Sequence, residues 1–297
     1  MRLSVLGMVG LLAAAAGSVV AQVGRVQLPI TYEAWTRPFP ALRIVGDLYY
    51  VGTSDLASYL IRTADGHILI NTGLDSSVPM IRSNVESLGY RFADIKLLLA
   101  THGHWDHVAG MAEIKRLTGA RMLMHEADAS TLEDGGNSDY RFPQGRGQVY
   151  EPVKVDQRLK DGDRVRLGGA ELTAHHHPGH TKGATSFTFS TQDNGRNYRV
   201  LLVNMAGINE GVKLLGSPGY PNMAQEYAQT FEKQKRLVGT FDVWGSSHAF
   251  QFGLHDKYKP GDPYNPNRFV DPVGFAQRIQ RLEQLYADQL HRERQAQ

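Results

Sequence analysis

The sequence predicts an α/β protein in which β-sheets are covered by helices. Three observations carry that expectation. Short apolar runs alternate with segments of helical periodicity through both halves of the chain. Two apolar runs, Ala57–Arg62 and His67–Asn71, flank Ala64-Asp65-Gly66, whose Asp-Gly step is a hairpin signal. A dense histidine motif, Thr101-His102-Gly103-His104-Trp105-Asp106-His107, follows the run Ile95-Lys96-Leu97-Leu98-Leu99-Ala100, so it falls where a buried strand gives way to a helix. That junction is where open α/β sheets gather their ligands.

In chain order, residues 43–51 alternate loosely and read as β structure ahead of the hairpin. Val78, Ile81, Val85 and Leu88 recur at helical spacing, with Pro79 suited to the first turn and Gly89 to the C-terminal cap. Met111, Ile114 and Leu117 mark a second helix, closed by Gly119. Arg121–His125 is a short strand, and Asp134–Gly147 is a polar, glycine-rich surface loop that carries Tyr140 and Phe142 beside the expected site. Strands are expected at Val165–Ala174, Ala184–Ser190 and Val200–Val203. A last helix begins at Asp271-Pro272 and places Phe275, Ile279, Leu282, Tyr286 and Leu290 on one face.

The chain has 297 residues, and its start reads as a removable leader. Met1-Arg2 is a positive n-region, Leu3–Ala16 an apolar h-region, and Val19-Val20-Ala21 a small-residue cleavage site, so residues 1–21 are expected to be a signal peptide and the mature protein to be periplasmic. Residues 22–297 then form one domain. The charge is +2 from 32 basic and 30 acidic residues, which gives no footprint for nucleic acid or for a membrane surface. No apolar stripe stands apart from core patterns, and a monomer is expected. There is no cysteine, so any metal must be held by His, Asp or Glu.

Twelve histidines cluster rather than scatter. After the first motif come His175-His176-His177-Pro178-Gly179-His180-Thr181 and Ser246-Ser247-His248, each at the end of a strand-like run. Residues 175–177 cannot share one metal if they lie in a strand, because alternate side chains point to opposite faces. They are read as outer-layer or surface groups, and His67, His125, His255 and His291 as structural or exposed. A His-X-His-X-Asp-His motif at a strand–helix junction has few purely structural reasons to exist, and it is read as metal-binding.

His102-X-His104-X-Asp106-His107, His180 in a Gly-His-Thr turn and His248 together resemble the metallo-β-lactamase superfamily. The absence of cysteine, with His107 in its place, and the strings Leu69-Ile70-Asn71-Thr72-Gly73-Leu74, Leu132-Glu133-Asp134-Gly135-Gly136 and His248-Ala249-Phe250-Gln251-Phe252-Gly253-Leu254 are similar to subclass B3. The resemblance implies an αββα sandwich, two mixed β-sheets flanked by helices, over the mature chain. It implies two zinc ions (Zn2+) per chain, one on His102, His104 and His180, the other on Asp106, His107 and His248. It implies hydrolysis of a β-lactam antibiotic by a metal-bound hydroxide that the catalytic residue Asp106 orients, with no cofactor besides zinc. Asn71 stands where many members carry Asp, and Val203–Ile208 lacks the serines that many subclass members use on substrate. Relatives of the glyoxalase II type place a bridging Asp after a strand between the last two His ligands; here Val200–Val203 runs into Asn204-Met205-Ala206. The alternatives are another hydrolase of the superfamily, acting on a thioester, lactone or phosphodiester, or a non-catalytic zinc-binding scaffold.

Overall fold

The computed structural model describes residues 32–141 and 148–297. The expected leader, residues 1–21, and Phe142 lie outside the described residues. Twelve strands build two mixed sheets. The first runs β1 (Leu42–Val45), β2 (Leu48–Tyr50), β3 (Tyr59–Thr63), β4 (Gly66–Ile70), β5 (Ile95–Leu99), β6 (Arg121–His125) and β7 (Gln157–Leu159), in sequence order across the sheet. Its first four strands pair antiparallel, and β4 to β7 pair parallel. The second holds β8 (Arg164–Leu167), β9 (Ala170–His176), β10 (Thr185–Asp193), β11 (Arg196–Val203) and β12 (Val243–Ser246), antiparallel apart from the parallel β11–β12 pair.

Eight α-helices, besides four short 3-10 turns, complete the described chain: α1 (Glu33–Thr36), α2 (Val78–Ser87), α3 (Trp105–Val108), α4 (Met111–Thr118), α5 (Glu126–Glu133), α6 (Met223–Leu237), α7 (Leu254–Lys257) and α8 (Pro272–Gln295). The architecture is the expected αββα sandwich. β5 shows why its apolar run is continuous. Leu97 and Leu99 face the core between the sheets, while Leu98 faces the helix layer with Val78, Ile81, Val85 and Ile114. Both faces of the strand are covered, so neither can be polar. On α8, Phe275, Ile279, Tyr286 and Leu290 are buried, and Phe275 meets Trp244 of β12 edge-on at 5.5 Å.

Several expectations change in detail. The run 43–51 is two strands, because Gly46 turns the chain at φ +53° and a Cβ there would strike Thr191. Val165–Ala174 is likewise a hairpin, β8 and β9, turned by Gly168 and Gly169 at positive φ. Asn194 and Gly195, both at positive φ, close the β10–β11 hairpin and extend both strands beyond the apolar stretch. Leu117 is half exposed, so α4 buries Met111, Ala112 and Ile114 but not the expected Leu117. Among the described residues no helix is long and apolar enough to cross a membrane.

Candidate metal centre

The two sheets meet at one edge, and strand ends deliver the histidines there. β5 leads into Thr101 and the turn that carries His102 and His104, with Asp106 and His107 on α3. β9 leads to His180, and β12 to His248. A short antiparallel contact stitches the last of these to the first sheet: Ala57 N donates to Ser247 O, Ala249 N donates to Asp55 O, and Leu56 faces His248 as an isolated bridge.

All six expected ligands converge. His102, His104 and His180 offer ligand atoms within 4.8 Å of one another, and so do His102, Asp106 and His107. His104 Nδ1 lies 3.1 Å from His180 Nε2. Asp106 Oδ2 lies 3.1 Å from His107 Nε2 and 3.5 Å from His248 Nε2. The second compact triad therefore contains His102 where the resemblance implies His248. His248 still faces the same carboxylate, with its ring 4.8 Å from that of His107.

Three of the imidazoles, His102, His180 and His248, are oriented by a partner on the far side. His180 Nδ1 stands 2.7 Å from Gly207 O, which leaves Nε2 toward His104. His248 Nδ1 stands 2.9 Å from Asp55 Oδ2. His102 Nδ1 meets the Thr101 hydroxyl at 3.2 Å. Asn71, at φ 60°, acts through Thr101: its Oδ1 accepts from Thr101 N and its Nδ2 donates to Thr101 Oγ1, and Thr101 in turn meets His102. Ser247 joins the same hydroxyl at 2.9 Å, and Ser246 donates to Val203 O.

The electrostatics suit a cation. Burial, reinforced by the neighbouring imidazoles, pushes His102 and His104 well below the ordinary histidine value, and burial lowers His180 to about 4. These rings are neutral at pH 7, as ligands must be. Burial acts to raise Asp106, but His107, His248 and His104 outweigh it and hold the carboxyl far below the usual range. Burial works against protonation of His248, yet Asp55 and Asp106 bring its pKa above the ordinary value. His102 Nε2 and both ring nitrogens of His107 are buried with no hydrogen-bond partner. Unpaired buried polar atoms are costly. Imidazole nitrogen and carboxylate oxygen are the donors zinc accepts when thiolate is absent, so the residues present fit that metal.

Three carboxylates that the sequence did not single out complete the site. Asp55 holds His248. Asp139, buried in the loop after α5, puts Oδ2 3.4 Å from His104 Nε2. Asp128 of α5 accepts from Gly103 N at 3.0 Å, Thr181 Oγ1 at 2.6 Å and Gly183 N at 2.6 Å, joining the first histidine turn to the His180 turn. The only hint of it is a chemically ordinary one, an acid in a helix's first turn. The 175–177 run divides as strand geometry demands. His175 and His177 stack on one face of β9, and His176 stacks on His125 on the other. None is among the metal-facing groups, although His177 is buried against Ser186 rather than exposed.

A cleft of about 1250 Å³ opens over the centre, walled by Trp35, Trp105, Met205, Ile208, Phe250 and Arg278 among others. Tyr140, in the loop expected to flank the site, donates to His180 O.

The metallo-β-lactamase superfamily model matches residues 53–193. The fold superposes on a class B3 di-zinc metallo-β-lactamase from an Alaskan soil metagenome with a TM-score of 0.86 and 44% identity, covering 89% of this chain and 99% of that one. For the metallo-β-lactamase GOB-18 from Elizabethkingia meningoseptica the TM-score is 0.85 and the identity 43%, over 91% and 98% of the two chains. An acyl-coenzyme A thioesterase of Bos taurus is 28% identical over 76% of this chain and 87% of its own length. With fold, motif order and extended similarity in agreement, the chain belongs to the metallo-β-lactamase superfamily, and its structural likeness is to the subclass B3 enzymes.

Proposed function

We propose that this hydrolase opens the amide bond of β-lactams, with one zinc on His102, His104 and His180 and a second on Asp106, His107 and His248. The observation that carries the reading is the strand end between the last two histidines. β11 delivers Asn204, buried, its backbone N–H on Ser186 Oγ and its carbonyl on Gln234, and its side-chain Nδ2 has no hydrogen-bond partner among the described residues. A bridging Asp of the glyoxalase II type has no counterpart there, whereas the lactamase ligand set is complete. The likeness of nearly the whole fold to class B3 enzymes supports the same choice.

Bound at these positions, zinc would supply Lewis-acid activation of water and of the scissile carbonyl. The chain's own groups do the rest. The neutral imidazoles of His102, His104 and His180 present lone pairs without a proton to displace. Asp106, ionised at neutral pH, orients the attacking water. Trp105, Trp35 and Phe250 offer apolar walls that hold the substrate body over the centre. The reading includes export to the periplasm, which rests on the leader pattern of residues 1–21.

Likeness to an acyl-coenzyme A thioesterase favours a second reading, thioester hydrolysis at the same centre. The purified mature protein, assayed by absorbance on a carbapenem and a cephalosporin with and without chelator, separates the two. Turnover abolished by chelator and restored by zinc supports the lactamase. Two bound zincs with hydrolysis of an acyl-coenzyme A but of no lactam would replace it with the thioesterase, and two bound zincs with no turnover of any lactam, lactone or thioester would leave a scaffold.

A further inference from the structure

The five imidazoles of the centre are not supported alike. His102 leans on a hydroxyl and His180 on a backbone carbonyl, both neutral partners. His104 and His248 each face a buried carboxylate. His104 turns Nδ1 to His180, 3.1 Å away, and Nε2 to Asp139 Oδ2, 3.4 Å away. His248 turns Nε2 to Asp106 at 3.5 Å and Nδ1 to Asp55 Oδ2 at 2.9 Å. The two rings thus use opposite nitrogens, and each has one nitrogen toward the centre and the other toward an acid. At 2.9 Å the Asp55 carboxylate accepts from His248, so it fixes that ring's N–H on its own side and leaves the lone pair on the metal side; Asp139, at 3.4 Å, faces His104 Nε2 by charge across a gap longer than the Asp55 bond and favours the same orientation.

Both acids are held in place. Asp55 takes Trp35 Nε1 at 3.0 Å and Phe250 N at 3.3 Å. Asp139 takes Arg141 N at 2.9 Å. Burying a carboxylate is expensive unless something repays it, and the group each one faces is a ligand of the centre.

We infer that Asp139 and Asp55 are positioning residues that each govern one half of the metal centre, Asp139 through His104 and Asp55 through His248. The inference rests on the two-zinc reading above. It explains how a chain with a single ligand carboxylate, Asp106, can tune two positions separately. Outer carboxylates of this kind raise ligand basicity and fix ring orientation, and their loss costs about 10–100-fold in metal affinity.

The test is zinc affinity of the full mature chain, by competition with a chromophoric chelator, with cobalt(II) spectra as a second readout. Asp139→Asn and Asp55→Asn should each weaken one of the two zincs about 10–100-fold and leave the other within about twofold. The decisive comparison uses the His248→Ala background. There Asp139→Asn should keep its full effect on the remaining ion, and Asp55→Asn should add nothing, because its target ring is gone. Asp55→Asn weakening that remaining ion as strongly as it weakens the wild type would overturn the inference. So would either Asn variant leaving both affinities unchanged. A wild-type chain that takes up fewer than two zincs would instead sink the two-zinc reading itself. If an Asn variant does not fold, the Glu variant, which keeps the charge but displaces it, should weaken the same half; equal weakening of both halves would count against the assignment.

Discussion

Replacing Asp128 with alanine should damage the protein more than its position on a short surface helix suggests. The carboxylate is buried and accepts three donors, Gly103 N, Thr181 Oγ1 and Gly183 N, two of them main-chain groups in the turns that carry the ligands. Burial raises its pKa, and the three donated bonds act in the opposite sense. Alanine leaves all three donors without the acceptor they now share. At about 1–3 kcal/mol per stranded buried donor, the loss is about 3–9 kcal/mol. That is a large fraction of the roughly 5–15 kcal/mol that holds a domain folded. Asparagine is milder. Its oxygen at the Oδ2 position keeps Gly103 and Thr181, and its amide faces Gly183 N, so about one donor is lost, at about 1–3 kcal/mol. Urea unfolding of the metal-free chain, followed by tryptophan fluorescence, gives the comparison. With a slope of about 2–3 kcal/mol per molar, alanine should lower the midpoint by about 1 M or more and asparagine by about half of that or less. An alanine variant whose midpoint and zinc affinity both match wild type would refute the claim that Asp128 joins the two turns.

Two further outcomes follow from buried groups away from the ligands. Burial lowers His177 to about 3. With an unfolded value near 6.5 the unfolded chain binds the proton first, so this contribution is complete above pH 6.5 and drains away as pH falls toward 3. At pH 5 the loss is about 2 kcal/mol, and His177→Asn should flatten the fall in urea midpoint between pH 7 and pH 5; an unchanged slope would mean that His177 charges freely in the folded state. Gly245 in β12 lies against Tyr59, whose hydroxyl donates to Ser246 O; a Cβ there would sit 2.5 Å from that hydroxyl oxygen. Gly245→Ala should cost about 1–3 kcal/mol and displace the strand end that leads to His248, read as a lower melting temperature together with weaker zinc binding.

The fold was legible where periodicity is strong. β5, α2, α8 and the β3–β4 hairpin stand close to where apolar spacing and turn residues place them, because each buries a face that has to be apolar. The readings faltered where a glycine at positive φ breaks an apolar run. Gly46 and Gly168-Gly169 turn apparent single strands into pairs, and the periodic signal on either side is the same in both cases. The short strand β7 buries only Leu159 among its three residues, too little for any pattern to register.

The centre divides along the same line. The six residues that converge there stood out in the sequence because they lie in local strings rich in histidine, and four of the six fall within six consecutive residues. Its supporting acids were not. Asp55 lies 193 residues from the ring it holds, and Asp128 lies 53 and 55 residues from two of its three donors. In sequence Asp128 is a first-turn acid, favoured by the helix dipole whatever else it does, and Asp139 is one more polar residue in a polar loop. Composition and spacing report what a segment does for itself. What these carboxylates do depends on which distant turns the two sheets bring together, and only the packed edge of the sandwich supplies that. The consequence can be tested with one pair of variants. Glu126 also sits in the first turn of α5, is exposed, and has Lys160 3.8 Å away as its ion-pair partner. Glu126→Gln should therefore change stability by no more than about 0.5 kcal/mol, while Asp128→Asn two residues later costs several times that. Equal costs would mean that the helix terminus, not the bridge between the histidine turns, is what Asp128 serves.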